Sequence, residues 1–463
     1  MYHFKTNPKP EIFRAYDIRG LVDKHLFEDD YFSIAYVFGQ RVLQSGESKV
    51  VIARDVRPSS RAFSEALTAG LNACGLKVLD LGEVPTPVLN YATKSLSTAG
   101  LMVTGSHNPK SYNGLKMILR KEVPTGEDIQ SLKQDLLVIE PPQTDSIRKD
   151  YQSYDILPEY IKEMVKRISL DRKLKVVVDA GNGVGGILAP KLYSALNMDV
   201  IPLYCEPDGE FPNHHPNPGD PANLVDLIQA VKDHNADIGL AFDGDGDRLG
   251  VITPSGKVIW PDQILLWMTK YLVEQGQKPK VVFDVKCEQY LEDLMLEWGA
   301  LPIMWKTGHS LIRSKIKLSE ATIGGEMSGH LFLPYFWYDF DDAFAAGAVV
   351  LKILSEQKES LDAQLRFIPK RYCTPEKVIS VPEEKKFSIV NDLKEKVIFK
   401  DAMVSKIDGV RVMFEDAWFL VRASNTTSAL TVRISAKTQD RLQEIQELLN
   451  NELQQFHSDI KIG

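Results

Sequence analysis

The sequence predicts an α/β protein: three similar tandem α/β domains followed by a smaller C-terminal α+β domain. Three observations lead there. At 463 residues the chain is too long for one ordinary hydrophobic core, so roughly three or four domains are expected. A lysine followed by a short β-branched or aromatic run, then an aspartate within a few residues, recurs at Lys49-Val50-Val51-Ile52, Lys175-Val176-Val177-Val178 and Lys280-Val281-Val282-Phe283. Beyond Pro369 the pattern changes to strands such as Val410-Arg411-Val412-Met413-Phe414 and Trp418-Phe419-Leu420-Val421.

Short, continuously apolar runs between helical patterns read as buried parallel strands, and their wide spacing assigns one to each domain. The competing arrangement places the three strands in a single large sheet. Candidate boundaries favour the tandem one. Glu140-Pro141-Pro142-Gln143-Thr144-Asp145 is a proline-rich polar link ahead of a helix starting near Asp155. Thr253-Pro254-Ser255-Gly256-Lys257 is a turn, and Ile368-Pro369-Lys370-Arg371 ends the third repeat. The expected domains are therefore 1–153, 154–254, 255–369 and 370–463. The last closes with a helix that puts Leu442, Ile445, Leu449 and Leu453 on one face.

Composition is that of a globular protein, 44% hydrophobic and 25% charged. A net charge of −8 offers no footprint for nucleic acid. The longest apolar stretch, Phe344 to Leu351, is too short to span a bilayer. Met1-Tyr2-His3-Phe4-Lys5 has no signal-peptide core. Cys74, Cys205, Cys287 and Cys373 are scattered without a CxxC pair, which points to free thiols in a reducing cytoplasm.

Five polar segments carry candidate chemistry. Asp243-Gly244-Asp245-Gly246-Asp247, followed by Arg248, comes directly after the apolar run Ile238 to Phe242. Three carboxylates on a glycine-loosened turn at a strand's end suit a hard cation, Mg²⁺ or Ca²⁺, rather than zinc. An EF-hand is the weaker reading because Pro254 stands where its closing glutamate belongs. Thr104-Gly105-Ser106-His107-Asn108-Pro109 presents a serine hydroxyl, and Asn113-Gly114 reads as a second turn returning Lys116 toward it. His107 and Lys116 are the local groups that could activate Ser106; the alternative is an ordinary turn serine. Carboxylates that hold a metal beside an exposed serine suggest phosphoryl transfer. Gly324-Gly325-Glu326-Met327-Ser328-Gly329-His330 is a glycine-rich turn suited to hydrogen-bonding sugar hydroxyls. Arg422-Ala423-Ser424-Asn425-Thr426-Thr427-Ser428 is either a polar loop stabilised by Asx and Ser/Thr turns or a cluster of the donors that hold a phosphate dianion, and by itself the first reading is the stronger. Phe13-Arg14-Ala15-Tyr16-Asp17-Ile18-Arg19-Gly20 sets Arg19 on an early turn, and Lys306-Thr307-Gly308-His309-Ser310 forms another turn.

Taken in this order, these segments resemble the α-D-phosphohexomutase family, closest to its bacterial phosphomannomutase/phosphoglucomutase branch. The resemblance runs from FRAYDIRG through TGSHNP, DGDGDR, KTGHS and GEMSGH to RASNTT, essentially the whole chain. It implies mixed sheets and four domains around a central cleft, each supplying one loop. It implies phosphorylated Ser106, flanked by Arg19 and Lys116, with Asp243, Asp245 and Asp247 as Mg²⁺ ligands alongside the serine's phosphate. Glu326 and Ser328 would read sugar hydroxyls, and Arg422, Ser424, Asn425 and Thr426 would hold the non-reacting phosphate. Tyr16, Arg248, Lys286 and His309 fall on substrate contacts, and so does His330. Lys116, His107 and His330 stay open as the general base.

The implied activity is reversible transfer between hexose 1-phosphates and 6-phosphates of mannose and glucose, through a 1,6-bisphosphate, with glucose 1,6-bisphosphate as activator. A cytoplasmic monomer acting on small molecules is expected. The rivals are a phosphoglucosamine mutase, whose serine loop usually has alanine at the position of Gly105, a Mg²⁺-dependent phosphatase, and a silent sugar-phosphate sensor.

Overall fold

Each lysine-headed apolar run is the central strand of a sheet. This holds in a computed structural model that describes residues 2–14, 17–119, 122–143, 149–396, 399, 401–424 and 428–456. The first sheet comprises β1 (Ile18–Leu21), β2 (Lys49–Arg54), β3 (Lys77–Glu83), β4 (Ala99–Val103), β5 (Tyr112–Ile118) and β6 (Gln152–Ser153), in the order β1-β5-β4-β2-β3-β6. β2 lies parallel to β3 and β4, whereas β5 turns back antiparallel to β4.

The second sheet repeats the plan with β7 (Lys175–Asp179), β8 (Asp199–Leu203), β9 (Ile238–Phe242), β10 (Leu249–Ile252) and β11 (Val258–Ile259). β7 is central and parallel to β8 and β9, and β10 is antiparallel to β9. In the third domain β12 (Lys280–Asp284) again lies between parallel β13 (Leu301–Trp305) and β14 (Ile323–Gly325), and β15 (Leu331–Phe332) follows in sequence. The last domain is antiparallel: β16 (Tyr372–Cys373), β17 (Lys377–Ser380), β18 (Met403–Ser405), β19 (Val410–Met413), β20 (Ala417–Ala423) and β21 (Ala429–Ala436). Helices Glu383–Lys396 and Gln439–Phe456 accompany it, and Leu442, Ile445, Leu449 and Leu453 are buried as the periodicity predicts. Three α/β domains with mixed sheets and a C-terminal α+β domain are thus present.

Parallel strands need a long crossover, usually a helix, while an antiparallel neighbour needs only a loop. The parallel strands β2, β3 and β4, and likewise β7, β8 and β9, are therefore joined through helices. The step to the antiparallel neighbour, β4 to β5 and β9 to β10, is a short loop. The segments around Ser106 and Asp243 to Asp247 are these equivalent loops, at the carboxyl ends of strands, where α/β sheets place their ligands.

The chain divides into two compact units, one of residues Met1–Pro261 with Ser328–Gln364, the other of Asp262–Met327 with Leu365–Gly463. Among the described residues no helix is long and apolar enough to cross a membrane. Two local expectations fail. Arg19 lies within β1, not on a turn, and Asn113-Gly114 lies inside β5. Asn113 is buried there, its amide donating to the hydroxyls of Ser59 and Ser60 at 2.8 and 3.0 Å. Those side-chain partners hold it in the strand; the reversal comes earlier, around Pro109 to Ser111.

Candidate active site

β4 is buried along its length and delivers the chain to Thr104, whose hydroxyl accepts a hydrogen bond from the Ser106 backbone at 2.8 Å. Ser106 takes a left-handed conformation, φ 48°, and is buried, not exposed as the sequence suggested, because the 243–247 loop packs against it. Its hydroxyl lies 3.1 Å from His107 Nδ1 and donates to Asp243 Oδ2 at 3.1 Å. The two loops approach closely: a Cβ on Gly244 would stand 2.5 Å from the Ser106 carbonyl oxygen.

Asp243, Asp245 and Asp247 are buried, and one oxygen from each falls within 4.8 Å of the others. Asp243 Oδ1 accepts from the backbones of Asp247 and Arg248 at 3.0 and 3.1 Å, which curls the loop. Thr86 donates to Asp245 Oδ2 at 2.6 Å. Lys116, on β5, pairs with Asp245 at 2.7 Å and also with Asp247. Burial and the neighbouring Asp247 and Asp245 hold the Asp243 carboxyl well above the usual carboxylate range. Burial acts the same way on Asp247, but Lys116, His330 and Arg248 outweigh it and bring it to about 2. Asp245 Oδ1 is buried and accepts no hydrogen bond among the described residues. Oxygen donors, convergence and an unsatisfied buried oxygen fit a hard divalent cation.

The basic side chains around this cluster are shifted in different directions. Burial lowers the Lys116 pKa, but Asp245 and Asp247 overcome it and keep the ammonium protonated. Arg19 donates to Asn108 Oδ1 at 2.7 Å and pairs with Asp17. His107 is pushed well below the ordinary imidazole range by burial and by Arg248 and Arg19. His330 is raised instead: burial lowers it, but Asp247 and the hydrogen bond to Asp341, 2.8 Å away, prevail. Arg248 Nε donates to His330 Nε2 at 3.1 Å. Ser328 is a half-buried turn residue of the same compact unit.

In the second unit Glu326 is buried and accepts from the Gly308 backbone at 2.6 Å, immediately before His309 opens the helix His309–Ser319. Asp408 Oδ2 joins two predicted segments, accepting from the Thr307 backbone at 3.1 Å and from Arg422 Nε at 3.2 Å. Lys286 pairs with Glu376 at 3.4 Å, and Ser424 is buried. Tyr16, Asn425 and Thr426 lie outside the described residues.

The first unit thus gathers Arg19, Ser106, His107, Lys116, the three aspartates, Arg248 and His330, and the second links Glu326, the 307–309 segment and Arg422. Sequence reasoning missed Asp55, Arg57, Thr86, Asp341 and Asp408. Only Asp55 left a signal, as the aspartate trailing a lysine-headed run.

Four family descriptions match in chain order. They are Phosphoglucomutase/phosphomannomutase, alpha/beta/alpha domain I, over residues 10–137; domain II over 158–256; domain III over 260–372; and the C-terminal domain over 377–452. The phosphomannomutase/phosphoglucomutase of Pseudomonas aeruginosa PAO1 is 44% identical over 452 residues, 97% of each chain. The phosphoglucomutase of Neisseria meningitidis serogroup A is 42% identical, covering 95% of this chain and 96% of its own. The crystal structure of a phosphoglucomutase/phosphomannomutase family protein from Burkholderia thailandensis superposes with a TM-score of 0.89 at 39% identity, covering 98% of both chains. Matched domain by domain and along nearly its full length, the chain belongs to the phosphoglucomutase/phosphomannomutase family.

Proposed function

We propose that this protein interconverts the 1-phosphates and 6-phosphates of mannose and glucose, through phosphorylated Ser106 and a hexose 1,6-bisphosphate. The observation that carries the reading is the Ser106 hydroxyl, 3.1 Å from Asp243 within a buried cluster of three carboxylates. The dual names of the Pseudomonas relatives support the pair of sugars.

Asp243, Asp245 and Asp247, with an oxygen of the group on Ser106, would hold Mg²⁺, which when bound supplies a Lewis acid for phosphoryl transfer. The sugar's free hydroxyl attacks phosphorus as the bond to Ser106 Oγ breaks. Arg19 and Lys116 neutralise the charge that moves. The hydroxyl proton passes to one of the basic side chains beside the site, Lys116, His107 or His330. The bisphosphate then returns its other phosphoryl group to Ser106.

Glu326 and Ser328 read the hydroxyls at C3 and C4, which stay nearly equivalent when the intermediate reverses. Mannose and glucose differ at C2, outside that pair, so both are accepted. Arg422, Ser424, Asn425 and Thr426 hold the phosphate that does not react, while Tyr16, Arg248, Lys286 and His309 complete the substrate contacts. The four domains of this reading are 1–153, 154–254, 255–369 and 370–463, acting as a cytoplasmic monomer primed by glucose 1,6-bisphosphate.

The test is a coupled assay for hexose 6-phosphates with Mg²⁺ and a trace of glucose 1,6-bisphosphate. Mannose, glucose and glucosamine 1-phosphates would be supplied in parallel. Comparable turnover of the first two is expected, abolished by Ser106→Ala and by chelation of the metal. Reaction of glucosamine 1-phosphate alone would overturn the substrate assignment.

A further inference from the structure

Arg57 spends every donor it has on one loop and its brace. It follows β2, is 2% exposed, and lies under the Phe211 ring at 5.3 Å. Its Nε donates to Asp55 Oδ2 at 3.0 Å. Nη1 donates to the carbonyls of Pro109 and Tyr112 at 2.7 and 3.0 Å. Nη2 donates to the carbonyls of Ser106 and Asn108 at 2.8 and 2.6 Å. A guanidinium has five N–H donors in a rigid planar fork, and here five acceptors meet them. Asp55 closes the circuit: its Oδ2 also accepts from the Gly105 backbone at 3.0 Å.

Four carbonyl dipoles turned toward one point repel one another unless a cation sits there, so this loop conformation depends on Arg57. Ser106 adds to that dependence, because its φ of 48° is one that side-chain-bearing residues rarely hold unaided. Gly105 is the matching part. A Cβ there would lie 2.5 Å from both Cζ and Nε of Arg57 and 2.9 Å from the Tyr112 carbonyl oxygen, so a side chain at 105 would force the guanidinium or the loop to shift.

We propose that Arg57 is a positioning residue for phosphoryl transfer at Ser106. It acts through the loop's carbonyls, fixing the Ser106 hydroxyl against Asp243 and His107. This rests on the reading of Ser106 as the phosphorylated group.

The experiment adds glucose 1,6-bisphosphate to dephosphorylated protein and follows phosphate on Ser106 by intact mass and peptide mapping, alongside steady-state turnover of glucose 1-phosphate. Arg57→Lys keeps the charge but presents three donors from one nitrogen. Its labelling rate and kcat are expected to fall about 100-fold, with KM moving less than about threefold. Gly105→Ala should fall similarly, and the double variant should be no worse than the poorer single one. A folded Arg57→Lys that labels Ser106 at the natural rate, or raises KM at constant kcat, overturns the proposal alone. If Arg57→Lys does not fold, Gly105→Ala decides, and a natural labelling rate there overturns it too. Label on a residue other than Ser106 in the natural chain overturns the underlying reading and the proposal with it.

Discussion

Asp55, Asp179 and Asp284 stand at the same place, where a central strand ends, and each spends its carboxylate bracing a loop. Asp55 takes the Gly105 backbone, and Asp284 takes the Met327 backbone at 3.3 Å and the Thr307 hydroxyl at 3.1 Å. Asp179 takes the Gly181 backbone at 2.9 Å and His214 Nε2 at 3.0 Å. The sequence showed an aspartate recurring after each apolar run but not its role, because its partners lie up to 50 residues away. His214 gives a pH prediction. Burial lowers its pKa, but the hydrogen bond and charge of Asp179 outweigh that and raise it above the ordinary 6.5. A group raised on folding stabilises fully below its unfolded pKa and stops doing so as pH rises through the folded value. The stability lost in His214→Gln should therefore be largest below about pH 6.5 and shrink above it. Denaturant melts of both proteins at pH 6 and pH 9 measure this, and a difference that grows with pH would refute it.

At the scale of elements, legibility followed periodicity. The central strands and closing helix were readable because burial imposes a pattern on consecutive residues. The Asn113-Gly114 strand was not, because its side-chain partners are remote in sequence. Equally hidden was the support for helix Ala343–Glu356. Sequence shows only an apolar run, yet the helix start is built by Asp342. Its Oδ1 accepts from the backbones of Phe344 and Ala345 at 3.0 Å, and its Oδ2 from the Tyr160 hydroxyl at 2.7 Å and Trp337 Nε1 at 2.8 Å. Burial raises this carboxyl to about 6, so part of what its bonds contribute offsets desolvation. Asp342→Ala removes the cap and leaves two buried donors unpaired, for a net loss of roughly 3 kcal/mol. Equilibrium unfolding in urea checks it; a loss under about 1 kcal/mol would mean water reaches Tyr160 and Trp337 in the variant.

At the scale of the molecule, sequence domains and compact units divide the chain differently. The third family match is continuous over residues 260–372, but contacts assign Asp262–Met327 to one unit and Ser328–Gln364 to the other. The reason lies in what each piece packs against. Phe344 stacks on Phe242 with centroids 4.8 Å apart, its carbonyl accepts from the Tyr193 hydroxyl at 3.1 Å, and Asp342 is held by Tyr160. In the other unit Arg411 donates to the carbonyls of Val285 and Cys287 at 2.5 and 2.8 Å, and Arg433 to that of Lys286 at 2.9 Å. Glu288 accepts there from Trp418 Nε1 and Ser435 Oγ at 3.0 and 2.9 Å. A fragment of residues 255–369 keeps its strands and helices but loses both sets of partners. Stripping Phe344 of its stack alone costs about 3 kcal/mol, against a typical domain stability of ~5–15 kcal/mol. The fragment 1–153 is the contrast, because its core runs from Ile12 to Leu136 entirely within its own residues. Expressed separately, 1–153 should unfold cooperatively on heating, whereas 255–369 should keep far-ultraviolet helix signal without near-ultraviolet structure or a sharp transition. A cooperative melt of 255–369 would show that its partners fix its place and not its fold.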